Sequence, residues 1–230
     1  MKLLAIETAT DACSAALWLD GTLTRRHEVA PREHTRLILP MMDELLARAG
    51  VRLADLDALA FGRGPGAFTG VRIAAAVIQG AAFGANLPVV PVSTLAALAQ
   101  QGLDAGASRV LAALDARMGE VYWGAFEADA GGLAVAAGPE RVVAPDAVPV
   151  PEGTGWHGAG SGWAAYEDVL RGRLGSCIGS IDPASCPSAA EVVRLAVRDF
   201  AAGLAVPAEQ ALPVYLRDKV ADKPRPVAGV

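Results

Sequence analysis

Phe61-Gly62-Arg63-Gly64-Pro65-Gly66-Ala67-Phe68-Thr69-Gly70-Val71-Arg72 sets four glycines and one proline between a short apolar run at 57–61 and a long run of small apolar residues at 71–85. Glycine reaches positive φ and lets other groups approach the backbone closely, so the stretch reads as strand, tight turn and helix. Two readings follow. The turn cradles a phosphate at the start of the helix, or it only delivers a helix that must pack closely. It has no P-loop lysine, and Ala67 stands where a G-x-G-x-x-G register beginning at Gly62 needs its third glycine. Arg63 and Arg72 are still placed to meet an anion at the helix start.

The segments 2–8, 12–19 and 22–29 read as three strands, the last two joined by the hairpin signal Asp20-Gly21. The period then becomes helical over 32–49, with Leu37, Met41, Leu45 and Ala49 in one row, Gly50 as the stop and Pro40 expected to kink the helix. A fifth strand at 87–92 leads into a third helix capped by Ser93 and reaching about residue 101. The order β-β-β-α-β-α-β-α then begins again with strands expected at 109–115, 120–128 and 133–143. Residues 145–162 read as loops or a degenerate strand. A helix is expected at 188–203, with Ser188 and Glu191 as its capping box. The tail from Asp218, carrying Pro224 and Pro226, reads as mobile or docked on a partner.

The helix at 71–84 has small residues at 70, 74, 77 or 78, 81 and 84, and Ile73, Val77 and Ile78 make it apolar nearly all round. Such a helix calls for burial on every side, which favours a contact with another subunit. In bulk, 230 residues hold one large domain or two smaller ones. Hydrophobic residues make up 53%, mostly alanine, and no uninterrupted run approaches the roughly 20 residues needed to cross a bilayer. Glu7 comes too early for a signal peptide, so a soluble, cytosolic protein with no membrane contact is expected. A net charge of −5 without a basic cluster argues against direct nucleic-acid binding.

The candidate chemistry is sparse. Glu7, Thr8 and Thr10 lie between the first two strands, where an acidic residue and hydroxyls either grip phosphates and a metal ion or form a polar turn. With Arg63 they are the candidates for a cofactor site. Asp115-Ala116-Arg117 between two later strands either orients a ligand or forms a bridged hairpin. His27, His34 and His157 are isolated, Cys13, Cys177 and Cys186 have no ligand spacing, and Ser161 misses the G-x-S-x-G elbow. No catalytic residue and no metal site are therefore expected.

Ile6 to Thr10, Pro31 to Thr35, Gly62 to Arg72, Leu114 to Tyr122 and Pro213 to Arg217 together resemble, in order, the TsaB (YeaZ) family of bacterial proteins required for making threonylcarbamoyladenosine in tRNA. The resemblance implies an α/β fold of the two-lobed actin-like, sugar-kinase-like (ASKHA) kind, each lobe a mixed sheet flanked by helices, here divided as 1–103 and 104–217 with a tail at 218–230. It implies a non-catalytic subunit that binds and stabilises TsaD, the transferase acting on adenosine 37 of ANN-decoding tRNAs. TsaE, an ATPase, joins the pair; the chain has no cofactor of its own, ATP is used by the complex, and tRNA is met only through it. The metal-binding histidines of TsaD fall here on Thr94 and Leu98, its aspartate near Ser188, and its phosphate turn on Asp115 to Arg117. The helices 32–49 and 71–84 would carry the face used for TsaD or for a homodimer, giving Leu37, Met41, Leu45, Phe68, Arg72, Ala74, Ile78 and Ala81 as interface candidates. The alternative, from the residues around Glu7 and the glycine turn, is an ASKHA-type nucleotide-binding phosphotransferase.

Overall fold

The structure, a computed structural model, describes residues 1–217. The tail expected at 218–230 lies outside the described residues. Strands β1 (Lys2–Glu7), β2 (Ala12–Leu19), β3 (Thr22–Val29), β4 (Ala58–Gly62) and β5 (Val89–Val92) form one sheet in the order β3-β2-β1-β4-β5. The first three pair antiparallel and the last two run parallel to β1. A second sheet runs β11-β10-β6-β7-β8, built from β6 (Arg109–Asp115), β7 (Val121–Ala128), β8 (Ala134–Ala136), β10 (Trp156–Ala159) and β11 (Ile178–Asp182), while β9 (Arg141–Val143) also pairs with β7. The second sheet thus repeats the first in outline: antiparallel neighbours on one side, parallel strands on the other.

Helices α1 (His34–Ala49) and α2 (Phe68–Ala85) cover the outer face of the first sheet, where Ile6, Leu17, Ile38, Met41, Leu45, Phe61, Ala74 and Ile78 share one buried cluster. Helix α4 (Ser161–Leu174) covers the outer face of the second, around Trp123, Trp156 and Trp163. Between the sheets lie α3 (Thr94–Asp104) and α5 (Ala189–Ala201), packed on each other. The two cross over: α3 packs on β6 and β7, and α5 on β1, β2 and β4. A single cut at residue 103 therefore separates the strands but not the helices, because each central helix buries its apolar face on the sheet that the other half of the chain builds.

Several local expectations meet their physical cause. Ser93 Oγ accepts from the backbone N–H of Leu95 and Ala96, so α3 starts there, although it runs on to Asp104. Gly50 takes φ 65° and ends α1 by donating back to Ala47 and Leu46 carbonyls. α1 continues through Pro40 to Ala49. α2 begins at Phe68, a turn earlier than expected, because Ala67 already has the extended conformation of a cap residue. The capping box at α5 is half formed: Ser188 Oγ accepts from Ala190, but Glu191 takes its hydrogen bond from Gln101. The strand expected over 133–143 is broken into β8 and β9, and α4 and β11 arise where no element had been expected. α2 is the one described helix long and apolar enough to cross a membrane, and it packs one face on its own sheet.

Candidate functional site

The glycine turn follows β4 and leads into α2, facing the β1–β2 turn. The approach is close enough to explain the glycines. A Cβ at Gly62 would stand 1.8 Å from Glu7 Oε2, one at Gly66 would stand 2.5 Å from the Ala9 carbonyl oxygen, and one at Gly70 would stand 2.1 Å from the Thr8 carbonyl oxygen. Gly64, at φ 97°, has the Val214 carbonyl 3.0 Å from its ideal Cβ. These contacts leave the backbone no room for side chains, which is a packing reason for the glycines that needs no phosphate.

Glu7 and Thr8 are each 0% exposed. The Glu7 carboxyl accepts from the Ala9 N–H at 2.7 Å and from the Thr94 hydroxyl at 3.0 Å, and Thr94 Oγ in turn accepts from the Gly64 N–H at 3.2 Å. Burial pushes the Glu7 pKa up to about 7, against the lowering effect of these donors. The Thr8 hydroxyl donates to the Gly70 carbonyl at 2.8 Å. Thr10 forms the local turn, its Oγ accepting from the Ala12 N–H at 3.4 Å, and its carbonyl meets His34 Nε2 at 2.8 Å. Three of the four cofactor candidates are therefore spent on the chain's own backbone. Thr94 and Leu98 are both 0% exposed and Ser188 is 2%, each inside the packing.

Arg63 is the exception. Its Nε is buried without a partner among the described residues. Its guanidinium lies near Glu140, which accepts a hydrogen bond from the Ser93 hydroxyl, and burial raises the Glu140 pKa despite both neighbours. Arg63 and Ser93 follow the carboxyl ends of β4 and β5, the edge at which open α/β sheets hold ligands. That edge carries the chain's own Arg63–Glu140–Ser93 cluster. At the matching end of β6, Asp115 accepts from the Arg117 N–H at 2.8 Å and pairs with its guanidinium at 2.9 Å, making a bridged turn.

The segment 213–217 ties the two turns together. The Val214 N–H donates to the Arg63 carbonyl at 2.8 Å, and Arg217 donates to the Ala116 carbonyl at 3.1 Å and pairs with Glu120. Between them Tyr215 packs beside Phe68, with ring centroids 5.8 Å apart, and its hydroxyl accepts from Arg72 Nε at 2.9 Å. The Arg72 guanidinium stands 3.7 Å over the Phe68 ring.

On the helical face the structure corrects half of the interface expectation. Met41, Leu45, Ala74 and Ile78 are 7%, 3%, 0% and 0% exposed, because they point at the sheet and form the core beneath α1 and α2. Leu37 and Ala81 are half-buried, while Phe68 and Arg72 are exposed. The outward face of α2 carries Arg72, Ala76, Gly80 and Phe83, with Leu39 exposed on α1. Phe83 is 83% exposed. Positions 72, 76, 80 and 83 form one helical row with Phe68, so of the expected α2 residues Phe68 and Arg72 lie on the outward row and Ala74 and Ile78 on the inward one; a helix apolar all round does not say which row meets its own sheet.

Two mixed sheets in tandem, flanked by helices and with a pair of helices packed between them, define an actin-like, sugar-kinase-like α/β protein. The family model described as TsaD, tRNA N6-adenosine threonylcarbamoyltransferase, matches residues 26–223. The tRNA threonylcarbamoyladenosine biosynthesis protein TsaB of Escherichia coli (strain K12) is 46% identical over 230 residues, covering 98% of this chain and 99% of that protein. Its namesake in Haemophilus influenzae is 41% identical over 236 residues, covering 98% of each. The solved structure of YeaZ from Pseudomonas aeruginosa superimposes with a TM-score of 0.88 at 48% identity, covering 94% of this chain and 99% of that one. The chain belongs to the TsaB (YeaZ) family of tRNA threonylcarbamoyladenosine biosynthesis proteins.

Proposed function

We propose that this chain is a non-catalytic scaffold subunit in the formation of threonylcarbamoyladenosine at position 37 of ANN-decoding tRNAs, acting in the cytoplasm by binding and stabilising TsaD. The observation that carries the reading is the outward face of α1 and α2. Leu39 on α1 and Phe83 on α2 are 51% and 83% exposed, and the exposed Ala76 and Gly80 on α2 offer small residues that another helix can approach closely. The same face serves a homodimer when TsaD is absent. A nucleotide-binding phosphotransferase would need Glu7 and Thr8 free to reach a ligand, and both are sealed beneath the glycine turn. On this reading ATP is used by the complex, tRNA is met only through the complex, and the ATPase TsaE joins the assembled pair.

The test is reconstitution of tRNA modification from TsaD, TsaE and a source of threonylcarbamoyl-AMP, with and without this chain. Modification should depend on the chain and on the outward face of α2. Calorimetry of the isolated chain with ATP and Mg²⁺ separates the alternative: tight binding with turnover would overturn the scaffold reading.

A further inference from the structure

We infer that residues 211–217 are an external clamp on the start of α2, and that Arg217, anchored on the second sheet, is a positioning residue for the partner face. Local chemistry leaves that helix start weak. Ser93 and Ser188 cap α3 and α5 through their side chains. The residue before α2 is Ala67, no side chain caps it, and no acidic residue stands in its first turn. Gly70 adds a residue of poor helix propensity, and the Thr8 carbonyl leaves no room for a larger one. The β1–β2 turn secures the inner side: the Ala67 N–H donates to the Ala9 carbonyl at 2.7 Å, and the Thr8 hydroxyl donates to the Gly70 carbonyl. The C-terminal segment secures the outer side.

That segment runs back along α2. Gln79 Nε2 donates to the Ala211 carbonyl at 3.1 Å, Tyr215 meets Phe68 and Arg72 a few turns earlier, and the Val214 N–H bonds the Arg63 carbonyl just before the helix. Residues 211–217 belong to no helix or strand, so their order rests on such contacts. Exposed polar contacts are individually weak against the entropy of ordering a chain end, and the segment therefore needs a second anchor. Arg217 supplies it, donating to the Ala116 and Arg117 carbonyls at 3.1 and 3.4 Å and pairing with Glu120. Val214 and Arg217 are three residues apart, a reach of about 10 Å at full extension, so a seated Arg217 keeps Tyr215 against α2. The receiving turn needs the contact in return. Arg117 and Met118 hold left-handed φ of 60° and 55° without being glycine, a conformation that persists only where neighbours enforce it. The clamp thus joins the partner helix of the first sheet to a strained turn of the second.

That the placed helix meets TsaD rests on the reading above; that the clamp places it does not. The test follows amide exchange by NMR in the full chain and in Arg217→Ala, Arg217→Lys and Tyr215→Phe, with TsaD affinity measured on the same samples. Arg217→Ala should speed exchange at Val71, Arg72 and Ile73 about tenfold, leave the amides of α1 and α5 unchanged, and weaken TsaD binding about tenfold. Tyr215→Phe keeps the ring and loses only the bond to Arg72, so both effects should be about threefold. Arg217→Lys keeps the charge and a donor and should restore most of the loss. Unchanged exchange at residues 71–73 overturns the inference, because the helix start then holds itself. A rise shared by α1 and α5 also overturns it, because Arg217 then only supports the fold. Gly80→Arg, measured beside these variants, separates the two readings. If it abolishes TsaD binding while Arg217→Ala loosens α2 and binds normally, the positioning role is wrong. If Gly80→Arg itself binds normally, the face is misassigned and the positioning role falls with it.

Discussion

Gly62 has no side chain because Glu7 occupies the space one would need: the carboxylate Oε2 stands 1.8 Å from where a Cβ would be. The carboxyl cannot retreat, since it is held by the Ala9 N–H and the Thr94 hydroxyl in a site with no exposure. The glycine turn and the β1–β2 turn are therefore one packed unit.

Gly62→Ala should destabilise the protein by roughly 3 kcal/mol or more, as overpacking of an immobile site does. Urea unfolding checks it. A midpoint unchanged from the parent would mean that Glu7 can move aside.

The buried Glu7 makes stability depend on pH near neutrality. Its folded pKa, about 7, lies above the ordinary 4.5. Below 4.5 the carboxyl is protonated in both states and contributes no difference. Between 4.5 and 7 the unfolded chain ionises first, so stability falls as pH rises, by on the order of 3 kcal/mol across the window, and then levels off. Glu7→Gln should remove this component. Denaturant titrations of parent and variant at pH 5 and pH 8 should show the variant gaining relative stability at the higher pH, and an equal difference at both would refute the assignment.

The two faces of α2 should respond differently to the same change. Gly80→Arg and Ala76→Arg place a charge on the exposed row, and a Cβ at Gly80 has nothing within 4 Å. They should leave the melting temperature within a few degrees and abolish TsaD binding in a pull-down. Ala74→Arg buries a charge at a fully enclosed position and should unfold the protein, by about 4 kcal/mol or more. Retained TsaD binding by Gly80→Arg would move the interface elsewhere.

Arg217 holds the 115–120 turn through the Ala116 carbonyl and Glu120. Arg217→Ala should free that turn and speed cleavage after Arg117 by trypsin about tenfold, with little effect on global stability. Mass spectrometry of a timed digest reads the outcome, and an unchanged cleavage rate would show that Asp115 and Arg117 hold the turn unaided.

Much of the fold was legible in the sequence because its signals are local. Short strand-like runs bounded by turns marked β1, β2 and β3, Asp20-Gly21 marked the hairpin between the last two, Ser93 and Gly50 marked helix ends, and the glycine motif was among the segments that carried the family resemblance. Residues 163–187 gave no such signal: α4 has a weakly amphipathic sequence interrupted at Tyr166, and β11 is short and mostly exposed. The sequence by itself determined the elements of the first sheet and its helices, their order and the family resemblance, because hydrophobic pattern and turn chemistry act over a few residues. Only the tertiary structure decided which side of α2 is core, that α3 and α5 exchange sheets, and that Glu7 lies sealed under Gly62. Each of those depends on which surfaces, distant in sequence, exclude water from one another, and on one backbone approaching another too closely for any residue but glycine.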